Sequence, residues 1–166
     1  MRTVGPTTAR FDHQPPDVAG NSKGQTRAIQ YLALDGITPL AKVFQDTRVI
    51  DRAARSPWLV AYELAAELTL LDLTGTYPTR AGASMLINCG SRPRARAWSR
   101  VFYEAYPQIH GLYYASCMQE NSPSLALYER AAGAIPAQPS FHRALSDQAL
   151  RLTLRNAAVK LNYFLL

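Results

Sequence analysis

A chain of 166 residues is long enough to bury a core as one domain, and at 48% hydrophobic and 18% charged its composition excludes an intrinsically disordered protein. Eighteen Lys and Arg against twelve Asp and Glu leave a net charge of +6, so the field favours anionic ligands, acidic protein surfaces or nucleic acid. Cys89 and Cys117 are not spaced as CxxC and the three histidines lie far apart, which predicts neither a zinc nor a disulfide framework and points to a reducing compartment. No apolar run reaches the roughly 18 residues of a membrane helix, and the N-terminus lacks the apolar core of a signal peptide, so the expectation is a cytoplasmic protein with no membrane partner.

Residues 1–25, rich in Thr, Pro, Gly and Asn, read as a mostly loop-like N-terminal segment of the domain whose one dense feature is Arg10-Phe11-Asp12. Ala28–Leu34 then mixes β-branched, aromatic and aliphatic residues and breaks at Asp35-Gly36, which predicts a strand running into a loop. Thr38 caps the following helix, with Pro39 at its first position. Leu40, Val43, Phe44 and Thr47 form its buried stripe, which turns Lys42 to solvent or to a cleft.

Trp58–Leu64 and Leu68–Leu73 predict two strands, and Tyr77–Cys89 a helix with Gly82 in its middle. Ser91–Tyr106 is the clearest helix, capped by Ser91, with Trp98, Val101, Phe102 and Ala105 on its apolar face. Arg92, Arg96 and Arg100 recur every fourth residue and make a basic face, which is ordinarily a solvated one. His110–Ser116 is strand-like, and Ser124–Tyr128 is a short strand or a helical turn. Asp147–Leu161 reads as a last helix with Leu150, Leu154, Ala157, Ala158 and Leu161 on one side, and Asn162–Leu166 as a closing strand. Strands and helices mix without βαβ alternation, so the fold class is α+β.

No phosphate-cradling glycine loop, HExxH helix or GxSxG elbow is present. Several blocks instead recur in order along the chain: Arg10-Phe11-Asp12, Tyr31-Leu32-Ala33, Leu40-Ala41-Lys42-Val43-Phe44, Leu71-Asp72-Leu73-Thr74-Gly75, Thr79-Arg80-Ala81-Gly82-Ala83, Arg94-Ala95-Arg96-Ala97-Trp98-Ser99, Tyr103-Glu104-Ala105-Tyr106-Pro107, Ser116 and Leu127-Tyr128-Glu129-Arg130-Ala131. Together they resemble the RES-domain family, which would span residues 26–166. The resemblance implies an ADP-ribosyltransferase-like mixed sheet with flanking helices. It also implies a toxin of a bacterial toxin–antitoxin pair that degrades NAD, with NAD as substrate rather than cofactor and no metal.

By the same resemblance, Arg10 matches the family arginine, Tyr31 the tyrosine opening the Tyr-Leu-Ala strand, and Ser116 the family serine. The family glutamate falls on Lys42, and Ala115 and Cys117 replace the proline and second serine that flank the family serine. Arg10, Tyr31 and Ser116 are thus the expected NAD-binding residues and, with Lys42, the expected catalytic positions. The implied partners are NAD, phosphate or water as acceptor, and a helix-turn-helix antitoxin of the Xre type, through which alone nucleic acid would enter. The implied reaction is cleavage of the nicotinamide–ribose bond, as an NAD phosphorylase or glycohydrolase; the alternative is an inactive paralogue that binds nucleotide or antitoxin.

Those residue types suit that chemistry. As nicotinamide leaves, the ribose takes on oxocarbenium character, which a carboxylate stabilises. An arginine grips pyrophosphate with paired donors, and a tyrosine ring gives a stacking face. Each also has an ordinary structural reading: Arg10 as a solvated loop residue, Tyr31 as a half-buried core aromatic, Ser116 as a strand-end hydroxyl bonded to backbone, and Cys117 as a small buried residue.

Overall fold

The structure is a computed structural model that describes residues 1–166. It opens with two strands, β1 (Arg2–Gly5) and the long β2 (Lys23–Ala33), followed by α1 (Ile37–Val43) and the two-residue β3 (Val49–Ile50). After β4 (Trp58–Ala61) and β5 (Leu70–Asp72) come two single helical turns, α2 (Tyr77–Arg80) and α3 (Leu86–Cys89), and the long α4 (Arg92–Ala105). Strands β6 (Gly111–Ala115) and β7 (Pro123–Tyr128) lead through a 3₁₀ segment, Glu129–Ala134, to β8 (Phe141–Ala144). A 3₁₀ turn, Gln148–Leu150, runs directly into α5 (Arg151–Leu161), and β9 (Phe164–Leu165) ends the chain.

Five strands form the main sheet in the order β1-β2-β7-β6-β5, antiparallel except between β5 and β6; β3 with β9 and β4 with β8 form two small ribbons. This is the expected α+β class with a mixed sheet. Register explains the core. Tyr31 lies opposite Ala126 and Ala126 opposite Leu112, while Ala33 lies opposite Ser124 and Ser124 opposite Tyr114. Since successive side chains alternate between faces, Ile29, Tyr31, Leu112, Tyr114, Ala126 and Tyr128 share one face, where they pack on Phe11 and on Ala95 and Phe102 of α4. Leu125 and Leu127 point the other way, onto Ala131 of the 3₁₀ segment. Because β7 is covered on both faces, its apolar run shows no alternation, and the strand reading of Ser124–Tyr128 prevails over the helical one. At Gly111 a Cβ would sit 2.4 Å from the Ala126 carbonyl oxygen, so only glycine lets β6 approach β7 this closely.

A second core joins α1, α5 and the small ribbons around Leu40, Ile50, Leu145, Leu150, Leu154, Ala157 and Ala158. Leu154 is fully buried there, and truncating such a leucine to alanine costs about 2–5 kcal/mol. No helix is long and apolar enough to cross a membrane.

Several expectations are corrected. Most of residues 1–25 is loop, but the segment also holds β1 and the start of β2, and part of the loop between them is core: Phe11, Asp12, His13 and Gln14 are all fully buried. The N-cap position of α1 is Gly36, and the free amides are taken up by Asp35 before it, whose Oδ1 accepts from the Ile37 and Thr38 amides at 2.8 and 2.7 Å. The helix therefore begins earlier, and its inward stripe is Ile37, Leu40, Ala41 and Phe44; Val43 is 70% exposed and Thr47 falls beyond the helix end. The predicted helix over Tyr77–Cys89 is broken, because Gly82 takes a left-handed φ of +83° between α2 and α3.

In α4 the buried positions are Ala95, Ser99 and Phe102, while Val101 and Ala105 are exposed. Strands β4 and β5 are shorter than Trp58–Leu64 and Leu68–Leu73, and β4 pairs with β8 rather than joining the main sheet. The last helix begins as a 3₁₀ turn, with the Asp147 carboxylate accepting from the Ala149 amide at 2.8 Å, and the closing strand is reduced to Phe164–Leu165.

Candidate functional site

Arg10, Tyr31, Lys42 and Ser116, scattered over more than a hundred residues of sequence, border one cleft of about 230 Å³ beside the inner strands β2 and β6 of the main sheet. Asn88, Arg92, Tyr114 and Cys117 line it with them. Each reaches the cleft from a different element, so the fold rather than any local motif assembles it.

Arg10 is carried by the buried loop after β1, which the Asp12 carboxylate pins. Asp12 Oδ2 accepts from Arg2 Nη2 at 2.7 Å, the Thr7 amide at 2.6 Å and the Thr7 hydroxyl at 2.9 Å, and Oδ1 from the Gln14 amide at 3.1 Å. Burial alone would raise this carboxyl, yet the donors from Thr7, Arg2 and Gln14 together hold it below the usual carboxylate range. Held from behind, Arg10 donates from Nη1 to the Gly90 carbonyl at 2.6 Å and from Nη2 to the Cys89 carbonyl at 3.3 Å, which satisfies the C-terminal end of α3. A guanidinium has five donors, so others remain for a ligand.

Tyr31 is half-buried on β2 and its ring borders the cleft, while its hydroxyl is enclosed with no hydrogen-bond partner. Burial keeps that phenol protonated far above its ordinary range. Ser116 is buried at the end of β6, where its Oγ accepts from the Met118 amide at 3.4 Å and its own amide donates to the Ser122 carbonyl at 2.9 Å. This is the strand-end role of a serine hydroxyl, which still leaves its proton free to donate. Cys117 is exposed, not buried as its residue type suggests, and both cysteines are free thiols.

Lys42 takes the cleft side of the two orientations its helix allows. Its Nζ donates to Tyr114 Oη at 2.8 Å and Ser124 Oγ at 3.1 Å and lies 4.5 Å from the centroid of the Tyr114 ring. The register that sets Tyr114 opposite Ser124 builds this pair of acceptors. Burial lowers the Lys42 ammonium from its usual range to about 8; nearby Arg10 lowers it too, while Cys117 and Asp35 oppose the shift. A cation in this position is held by two hydroxyls and no carboxylate.

Three further residues escaped sequence reasoning as site members. Asn88 donates from Nδ2 to the Leu73 carbonyl at 2.9 Å and presents a buried Oδ1 with no partner. Arg92, legible only as part of a basic helix face, turns to the cleft and donates to Gln45 Oε1 at 3.3 Å. Tyr114 reads in the sequence as one more strand aromatic. No local signal marks any of the three, since their roles arise from contacts distant in sequence.

Arg10, Lys42 and Arg92 thus put three cations around the cleft, and no Asp or Glu lines it. Glu104 pairs with Arg27 at 3.2 Å, Glu129 accepts from Tyr103 at 2.6 Å and from the Ala28 amide at 3.0 Å, and Glu63 and Glu67 are exposed between β4 and β5. None stands in for a carboxylate at position 42. Comparison of the chain with family models, with curated proteins and with solved structures gives no match.

Proposed function

We propose that this protein is a RES-like module of ADP-ribosyltransferase-like fold that binds NAD in the cationic cleft and cleaves its nicotinamide–ribose bond slowly if at all. The observation that carries the reading is the convergence of Arg10, Tyr31, Lys42 and Ser116 on one cleft bearing three cations and no carboxylate. Cations and arginine donors suit a pyrophosphate, and the partly open Tyr31 ring suits a flat heterocycle. A volume of about 230 Å³ is below the ~300–1,000 Å³ of pockets that bury a whole drug-sized ligand, so the cleft takes one end of a dinucleotide and leaves the other outside.

Binding and bond cleavage separate at position 42. Cleavage raises positive charge on the ribose, and a unit charge about 4 Å away at an effective dielectric near 20 interacts by about 4 kcal/mol. Lys42 makes that term repulsive where a glutamate would make it attractive, which corresponds to roughly a thousandfold or more in rate. Phosphate or water would be the acceptor. In the cell this reading implies a helix-turn-helix antitoxin whose contact surface is acidic, matching the net charge of +6.

Incubation with NAD and phosphate, followed by chromatography of the products, tests the reading in the parent and in Lys42→Glu. The expected result is little turnover in the parent and at least a hundredfold more in the variant. Turnover in Lys42→Glu no faster than in the parent would contradict the assignment of position 42.

A further inference from the structure

We propose that Lys42 is a reactive amine that forms a reversible imine with an aldehyde or ketone bearing a phosphate group. This goes beyond NAD binding, since NAD offers no free aldehyde or ketone; the two readings share the cleft and its cations but not the chemistry.

The neighbours of Nζ suit both states of the amine. Tyr114 Oη at 2.8 Å and Ser124 Oγ at 3.1 Å accept from the ammonium, and either hydroxyl can donate to the neutral amine. No carboxylate is hydrogen-bonded to this ammonium; burial and Arg10 disfavour its charge and outweigh the opposing pull of Cys117 and Asp35. With the ammonium lowered to about 8, roughly a quarter of Lys42 is neutral at pH 7.5, against about one part in a thousand for an ordinary lysine. Arg10 and Arg92 border the same cleft and supply donors for a phosphate, while the unpartnered Asn88 Oδ1 can accept from a hydroxyl on the same molecule.

The chemistry closes on residues present. The Nζ lone pair attacks the carbonyl carbon, the C=O π pair moves to oxygen, and a proton from nitrogen completes the carbinolamine. Tyr114, whose phenol burial keeps protonated, stands where it can pass a proton to the departing hydroxyl. Water leaves as C=N forms, and the remaining nitrogen proton returns to the tyrosine oxygen, giving one imine and one water from one amine and one carbonyl.

The chain has only three lysines, so Lys23 and Lys160 serve as internal controls. The probe is pyridoxal 5′-phosphate at pH 7.5 without NAD; borohydride reduces any imine to a stable amine, and peptide mass mapping locates it. Lys42 should label at least about ten times faster than Lys23 or Lys160, in line with its larger neutral fraction. Inorganic phosphate should slow this labelling, pyridoxal without phosphate should label Lys42 several-fold more slowly, and Tyr114→Phe should slow labelling while the circular dichroism spectrum is unchanged. Equal labelling of the three lysines would overturn the reactive amine, and indifference to phosphate would overturn its anionic substrate. Parallel trapping with glyceraldehyde 3-phosphate and with ADP-ribose distinguishes a small sugar phosphate from a nucleotide-linked sugar, the faster reaction identifying the source. Failure of NAD to bind would leave this result untouched.

Discussion

Lys42 Nζ stands 2.8 Å from Tyr114 Oη and 4.5 Å from the centre of the same ring, so a helix and a strand 72 residues apart meet through one charge. Tyr114 in turn meets Phe11 edge to face at 4.7 Å, next to Arg10. The contact therefore links the two cations through core aromatics, and position 42 sets the electrostatics of the cleft. A carboxylate there would meet the same two hydroxyls as donors, which is why Lys42→Glu should change charge without disturbing the fold.

NAD affinity should fall as pH rises from 7 to 9, because the lowered ammonium of Lys42 loses its proton at about 8. The titratable groups around it are Tyr114, Cys117 and Asp35, so the titration is best run in a Cys117→Ser background. A fall of about tenfold is expected, about 1.4 kcal/mol for one lost charge contact. Lys42→Met should bind more weakly at pH 7 and show no such fall; a parent affinity flat across the range would remove Lys42 from the anion site.

Stability should depend on His13 in a different window. The ring is fully buried between Tyr103 and Tyr128, at centroid distances of 4.5 and 4.4 Å, and burial lowers its pKa to about 4, although Glu129 at 3.4 Å and Asp12 oppose the shift. Its folded pKa lies below its unfolded value near 6.5, so the unfolded chain binds the proton first and stability is lost as pH falls from about 6.5 to about 4. The full loss is about 3 kcal/mol, and the lowered carboxyls of Asp12 and Glu129 add theirs only below about 4.5. Urea unfolding between pH 7 and 4.5 should show the slope, and His13→Phe should flatten it. An unchanged slope in that variant would locate the effect elsewhere.

Asp12→Ala should destabilise the fold by about 2–3 kcal/mol, because it removes the buried partner of an ion pair whose Arg2 side is a third exposed and leaves the amides of Thr7 and Gln14 without their acceptor. Since this carboxylate fixes the loop that carries Arg10, NAD affinity should drop as well, even under conditions where the variant is fully folded. An unfolding free energy within about 1 kcal/mol of the parent's would show that the loop is held by Phe11 burial instead.

Elements governed by one local pattern are legible in the sequence, and those governed by distant contacts are not. The helix of α4 is legible from Ser91 and its apolar spacing, and β2 from its β-branched run. The α1 stripe slipped because Asp35 and Thr38 are both plausible caps, and the choice shifts which residues face inward. The loop holding Arg10 is legible as loop but its burial is not, because that depends on Asp12 meeting Arg2 and Thr7, which composition does not encode. The four proposed site positions do border a single cleft, yet Asn88, Arg92 and Tyr114 join it only through folding.

Calorimetric titration of NAD into the parent and Arg10→Ala tests most directly whether the cationic cleft holds NAD. The Arg10 side chain donates its hydrogen bonds to the Cys89 and Gly90 carbonyls and belongs to none of the apolar core clusters, so its loss should leave the core in place. The parent should bind with a measurable heat, and the variant about tenfold or more weakly, as expected for losing one charge-assisted pair of hydrogen bonds. Equal affinity in parent and Arg10→Ala, or no binding by the parent, would contradict binding of NAD in this cleft.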